Sequence, residues 1–257
     1  MNPVRSQKIL EALSSKESAS VTELSEVLGV SEVTVRSDLN ALAAQGKISR
    51  THGGARLLEE RLRQEYSFET RKNINSHMKQ KIGEAASALI APQDSVLMDS
   101  STTVLALAHA LRRRTDLKDV TVIPTGIWTA IELMGKENVN VLLPAGYVRS
   151  TSGSIAGLPT HDFFEGLNIQ KAFLGAWGIS CENGLTDTHL LEIELKKRIA
   201  AQVKEIIVLA DGSKFYQTGL ARYAAVKEVR RIITDRTAPA EVLKKIAKQG
   251  VEITVVN

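Results

Sequence analysis

A single cysteine, Cys181, stands among the 257 residues, which rules out an internal disulfide and a cysteine-rich metal site. No apolar run approaches the roughly 18 residues of a membrane span. The opening stretch MNPVRSQKILEALSS lacks the apolar core of a signal peptide and reads as an amphipathic helix, so a cytoplasmic protein with no membrane partner is expected. His52, His77, His109, His161 and His189 fall at no metal-ligand spacing. Ser152-Gly153-Ser154 lacks the flanks of a nucleophile elbow. In Gly175-Ala176-Trp177-Gly178 a bulky Trp stands where a dinucleotide needs close backbone approach. There is no internal repeat and no low-complexity segment. No catalytic residue, no metal site and no cofactor is expected. A dominant charge of one sign is also missing: 33 Lys and Arg against 29 Asp and Glu permit a polyanionic partner without requiring one.

What is present organises into two parts. Residues 1–56 contain no glycine before Gly29 and show helical periodicity, with Ile9, Leu10 and Leu13 on one face. Ser20-Val21-Thr22-Glu23 has capping-box spacing and opens a second helix through Leu24, Val27 and Leu28. Gly29-Val30-Ser31 turns the chain, and Ser31 is placed to cap a third helix. That helix buries Val33, Val35, Leu39 and Leu42 to varying degree and ends near Gly46. Residues 47–52, turned by Gly53-Gly54, predict a short hairpin, the wing of a helix-turn-helix. In such a module the N-terminal end of the third helix enters the major groove. This makes Ser31, Glu32, Thr34, Arg36 and Ser37 candidate DNA contacts, with Arg50, His52 and Arg56 placed to touch phosphate. Seven basic against six acidic residues in this segment decide nothing, so the order of elements carries the reading.

Residues 57–75, rich in charge (Glu59, Glu60, Arg61, Arg63, Arg71, Lys72), read as a linker, with a solvated helix packed on the body as the alternative. From Ser76 onward, β-branched apolar runs at Ser95–Met98, Val120–Ile123, Val139–Leu143, Ala172–Leu174, Ile206–Ala210, Ile232–Thr234 and Ile253–Val256 alternate with helical patterns. The expected fold class is α/β: a winged helix-turn-helix over 1–56 and a mainly parallel sheet covered by helices over 76–257. Within the body, a strand ends in Asp99 and is followed by Ser100-Ser101-Thr102-Thr103 and a helix. A strand, a hydroxyl-rich turn and a helix N-terminus together suit an anion, whereas a plain helix cap is the alternative. Asp99 is placed to accept from sugar hydroxyls, and Ser100 to Thr103 to donate to a phosphate.

VTELSEVLGVSEVTVRSDLNALAAQGKISRTHGGA resembles the winged helix-turn-helix of the DeoR family of bacterial transcriptional regulators. MDSSTT, NGLTD, LEIELKK and LADGSKF resemble that family's sugar-phosphate-sensing domain, so the resemblance runs over nearly the whole chain. It implies a ribose-5-phosphate-isomerase-like body. It also implies effector-binding roles for Thr186 and Asp187 in the NGLTD loop, for Glu192 and Lys196 on the next helix, and for Lys214 as a cation for phosphate. The chain departs from the family at Ser37, where a second Arg is usual, and at Ser101, Gly126 and Ala145, where Gly, Asn and Gly are common. Arg149 offers compensating charge. The isomerases carry an Asp-Gly-Ala-Asp segment, a Lys-Gly-Gly loop and a helical Glu. Here Leu174-Gly175-Ala176-Trp177 and Asn183-Gly184 replace the first two and only Glu192 matches, so proton transfer lacks its machinery. The expectation is a regulator that binds double-stranded operator DNA as a homodimer or homotetramer. It represses a sugar-catabolic operon and responds to a phosphorylated sugar effector. Alternatives are a DNA-binding protein whose body only oligomerises, and an isomerase with a regulatory head.

Overall fold

The computed structural model describes residues 3–16, 18–44, 48–57, 67–157, 160 and 163–257. The chain divides into two compact units, Met1–Glu65 and Tyr66–Asn257.

In the first unit, α1 (Pro3–Lys16), β1 (Ser18–Ser20), α2 (Val21–Leu28), α3 (Glu32–Ala44), β2 (Ile48–Thr51) and β3 (Gly54–Leu57) follow one another. Ser20 and Glu23 close the expected capping box: Ser20 Oγ accepts from Glu23 N at 3.1 Å, and Glu23 Oε2 accepts from Ser20 N at 2.8 Å. Gly29 ends α2 at φ 64°, the left-handed conformation that a glycine adopts without strain. Ile9, Leu13, Leu24, Val35, Leu39 and Leu42 are buried together against Ile48 and Ala55. The wing holds three strands rather than two, because β1 adds to β3 antiparallel with Ala19 opposite Ala55. The expected helix end at Gly46 and the wing residue Lys47 lie outside the described residues.

In the second unit, seven parallel strands form one sheet. They are β4 (Ser95–Met98), β5 (Val120–Pro124), β6 (Val139–Val141), β9 (Lys171–Leu174), β12 (Glu205–Leu209), β14 (Arg231–Asp235) and β15 (Glu252–Val256), in spatial order β15-β14-β12-β9-β4-β5-β6. All seven expected strands are present. Alternation along each strand sends Leu97, Ala172 and Val208 to one face and Val96, Met98, Phe173 and Ile207 to the other. The first face is covered by α8 (Leu190–Gln202) and α9 (Ala240–Ala247). The second is covered by α5 (Ser76–Ser87), α6 (Thr102–Arg113) and Leu133 of α7 (Ile127–Leu133).

From β4 the chain runs outward through β5 and β6, then returns to build the other half from β9. The order therefore reverses between the neighbours β4 and β9, and ligands in sheets of this kind gather outside the carboxyl ends of the strands at such a reversal. The hairpin β7 (Tyr147–Val148) and β8 (Ile155–Ala156), and an antiparallel sheet of β10 (Gly178–Ser180), β11 (Gly184–Asp187) and β13 (Ala221–Ala224), were not expected. The NGLTD segment, read as a loop, is largely strand β11, whose register shifts between Leu185 and Thr186 and so hides its alternation.

Of the stretch read as a linker, 58–66, which holds Glu59, Glu60, Arg61 and Arg63, lies outside the described residues. The part that follows is body. Ser67 caps α4 (Phe68–Asn73), the Phe68 amide donates to Thr151 O at 2.8 Å, and the buried Phe68 ring stacks on Trp128 at 5.7 Å.

Candidate functional site

On the first unit, Ser31 caps α3: its Oγ accepts from Thr34 N at 3.3 Å and lies 2.9 Å from Thr34 Oγ1. Glu32 accepts from Thr22 Oγ1 at 2.8 Å and from Arg36 Nη2 at 3.1 Å, contacts that hold its carboxyl below the ordinary range. Glu32 thus joins α2 to α3 and steadies Arg36 rather than reaching outward. Arg36 and Ser37 are exposed on α3, as are Arg50, His52 and Arg56 on the hairpin. Asp38 is buried and held by the Arg5 guanidinium, with Nη2 to Oδ1 at 3.2 Å and a second bond from Nε to Oδ2, which pins α3 to α1.

Val33 was expected to be partly buried and is 77% exposed. It precedes the buried Val35 by two positions, about 200° around the helix, so the two cannot share a face. Val33, Arg36, Ser37, Asn40 and Ala44 instead form one exposed stripe, and the i, i+4, i+7 spacing of Val33, Ser37 and Asn40 was visible in the sequence. A valine suits a thymine methyl and an asparagine an adenine edge.

On the second unit, the residues after β4, β9 and β12 meet at the carboxyl edge of the sheet. Asp99, 1% exposed, accepts from Ser101 N at 2.8 Å through Oδ1 and from Gly175 N at 2.7 Å through Oδ2. Lys196, 5% exposed, reaches from α8 to Asp99 Oδ2 at 3.0 Å, Asp187 Oδ2 at 2.8 Å and Gly175 O at 2.9 Å. Burial alone would lower the Lys196 pKa, but Asp187 and Asp99 outweigh it and hold the ammonium charged. For Asp187 burial is likewise overcome, chiefly by Lys196, and the carboxyl stays below its usual range. The Tyr223 hydroxyl donates to the same Gly175 carbonyl at 2.9 Å and is raised by burial. Asp99 is therefore occupied: it organises the turn and anchors Lys196, and the expectation that it accepts from sugar hydroxyls does not match its contacts.

The turn itself is different. Ser101 caps α6, its Oγ accepting from Val104 N at 3.2 Å. Ser100, Thr102 and Thr103 are all buried, yet no hydrogen bond ties their hydroxyls to another described residue. Ser101, a Gly in the family, sits at φ −78°, and its side chain fills the space where a Cβ on Gly175 would come within 2.5 Å. At Gly126, an Asn in the family, a Cβ would stand 2.8 Å from Ser100 Cα, so the turn lies closer here than a side chain would allow. Ala145 is exposed.

Thr186 Oγ1 donates to Gly178 O at 3.1 Å and accepts from Gly219 N at 2.8 Å, so it braces the antiparallel sheet. Glu192 accepts from Ser152 Oγ at 3.0 Å, Ser154 Oγ at 2.9 Å and the Arg149 guanidinium, which ties α8 to the β7–β8 hairpin. Lys214 lies on a 3-10 turn (Gly212–Tyr216), 5.3 Å from the centre of the Trp177 ring. Of the residues expected from sequence, the structure brings Asp99, Ser101, Asp187 and Lys196 into one network, places Glu192 in an adjoining one, and leaves Lys214 beside Asp211. Gly175, Arg149, Tyr223, Arg71 and Lys79 were not in the expected site. They carry no local motif and are collected by the fold.

Among the described residues no cluster of His, Cys, Asp and Glu could hold a metal, and no helix is long and apolar enough to cross a membrane. His161 lies outside them.

Comparison with known proteins matches residues 5–61 to the DeoR-like helix-turn-helix domain and residues 74–236 to the DeoR C terminal sensor domain. The HTH-type transcriptional regulator GolR of Listeria innocua is 32% identical over 98% of this chain and 97% of its own length. The glycerol-3-phosphate regulon repressor of Escherichia coli K12 is 29% identical over 97% of each chain. Among solved structures, ribose 5-phosphate isomerase A from Methanocaldococcus jannaschii aligns over 55% of each chain with a TM-score of 0.40 and 18% identity.

Proposed function

The chain belongs to the DeoR family of DNA-binding transcriptional regulators and is not an enzyme, and from that premise we propose that it represses a sugar-catabolic operon under control of a phosphorylated sugar or sugar derivative. The head, 1–56, reads operator DNA through Val33, Arg36, Ser37 and Asn40, with Arg50, His52 and Arg56 on phosphate. The body, from 67 onward, binds the effector and holds the subunits together. One observation carries the effector reading: the hydroxyls of Ser100, Thr102 and Thr103 are buried at a helix N-terminus without a protein partner, at the sheet reversal. Buried polar groups require partners, and an anion or a sugar supplies them. The name of the glycerol-3-phosphate regulon repressor adds support for a phosphorylated polyol class. Asp99, Asp187 and Lys196 shape the turn, while Lys214 faces the ligand.

Calorimetric titration with sugar phosphates and their free sugars tests this. Thr102→Val with Thr103→Val keeps size and β-branching, and should weaken phosphorylated ligands preferentially while operator binding without ligand persists. Equal binding of phosphorylated and free sugars would count against the reading. An assembly of two or four subunits follows from the small contact of one head, and Trp128, Ile131, Met134, Leu142, Leu143 and Tyr147 offer exposed apolar surface for it. A strict monomer in sedimentation at micromolar concentration would remove that part.

A further inference from the structure

Beside the Lys196 network lies a second concentration of buried charge with the opposite balance. Lys79 on α5 is 5% exposed, and its one hydrogen bond to a described residue goes to the carbonyl oxygen of Arg71 on α4. Lys214 has Trp177 beneath it and no ion pair among the described residues. The carboxylate facing both is Asp211, which is already bonded to Asn75 Nδ2 at 3.0 Å and to Ser213 N at 3.1 Å. The other carboxylate that Lys214 feels, Asp187, is committed to Lys196 at 2.8 Å. The Arg71 guanidinium adds positive potential to both lysines. Burial lowers the Lys79 pKa to about 7, which Asp211 offsets only in part, and burial pulls Lys214 down as well. Two desolvated ammonium groups therefore share one carboxylate, an arrangement that costs stability unless an anion joins it.

The hydroxyl turn stands next to this cluster. Helices α5 and α6 pack so closely at Gly83 that a Cβ there would lie 2.4 Å from the Ala106 carbonyl carbon. Both helices begin at the carboxyl edge of the sheet. Lys79 precedes Gly83 by about one turn, and Thr102 precedes Ala106 by about one turn, so the ammonium and the threonine hydroxyls flank the same space.

We infer that Lys79, Lys214 and Arg71 form an anion site for a phosphoryl group, walled on one side by α4 and completed by the hydroxyls of the Ser100–Thr103 turn. That the phosphoryl group belongs to a sugar rests on the function proposed above; the anion site itself does not. Its cations come from three separate elements, α4, α5 and the 3-10 turn, so a bound anion ties them together.

The full-length protein tests this with inorganic phosphate and sulfate as probes, against chloride at equal ionic strength. Thermal unfolding midpoints of the wild type should rise with phosphate, and Lys79→Met should weaken that response at least tenfold. Lys214→Met should do the same, which guards against a folding defect in one variant. Calorimetry at pH 8 in two buffers of different ionisation enthalpy should show proton uptake on phosphate binding, lost in Lys79→Met. No phosphate-specific stabilisation in the wild type, or an undiminished one in both variants, overturns the site. A Lys79-dependent response to phosphate with no response to any sugar phosphate keeps the anion site and removes the sugar effector. Sugar phosphates binding equally to wild type and both variants remove the site and keep the effector.

Discussion

Lys196 shows how one side chain can hold three parts of a chain together. Its ammonium joins Asp99 after β4, Gly175 after β9 and Asp187 at the end of β11, all out of water. Removing one member of a buried ionic set leaves the others charged and unpaired, typically at a cost of about 3–5 kcal/mol. Lys196→Met should therefore lower the urea midpoint sharply, whereas Lys214→Met, which relieves repulsion, should leave it level or raise it. Lys79 adds a pH signature of its own. Folded, it releases its proton near 7; unfolded, it holds that proton to its ordinary value of 10.5. The unfolded chain thus binds more protons between those values, and Lys79 contributes stability that grows as pH rises from about 7 to about 10.5. Urea unfolding at pH 6.5 and 9 should show this gain in the wild type and its loss in Lys79→Met. A gain of equal size in the variant would assign the slope to other groups.

Among the elements, α3 separates what sequence makes legible from what it does not. Its cap at Ser31, its core positions Val35, Leu39 and Leu42 and its candidate Arg36 were readable, because local spacing fixes them. Val33 was misread because apolar character alone does not say which way a residue points. The seven sheet strands were legible for the same local reason, whereas β7, β8 and β10 are two or three residues long, too short for alternation to register. Arg71 and Lys79 looked like surface charge in a charged stretch, and only the packing of α4 and α5 turns them inward. Two substitutions separate contact from support on α3. Arg36→Ala should lose roughly 1–3 kcal/mol of operator affinity if the guanidinium reads a base. Asp38→Ala touches no exposed surface and should weaken operator binding through lost α1–α3 registry, with a lower melting temperature of the head. In mobility-shift and circular-dichroism measurements, Arg36→Ala should change only the first readout and Asp38→Ala both.

For the whole molecule, the reversal of strand order at β4 and β9 sets when the site can exist as well as where. Val96 pairs with Lys171, residues distant in the chain, so the two walls of the pocket meet only after a long loop has closed. Contacts of that separation are slow to form, since chain entropy must be lost before they contribute. Trp177 lies just past β9 and beside Lys214, and it provides a reporter of that late event. In stopped-flow refolding, far-ultraviolet ellipticity should recover first, and the Trp177 signal, read with Trp128 replaced by Phe, should follow in a slower phase. Ligand-binding competence should return with that slower phase, so a newly made subunit would pass through an interval in which its helices are formed and it cannot yet respond to its signal.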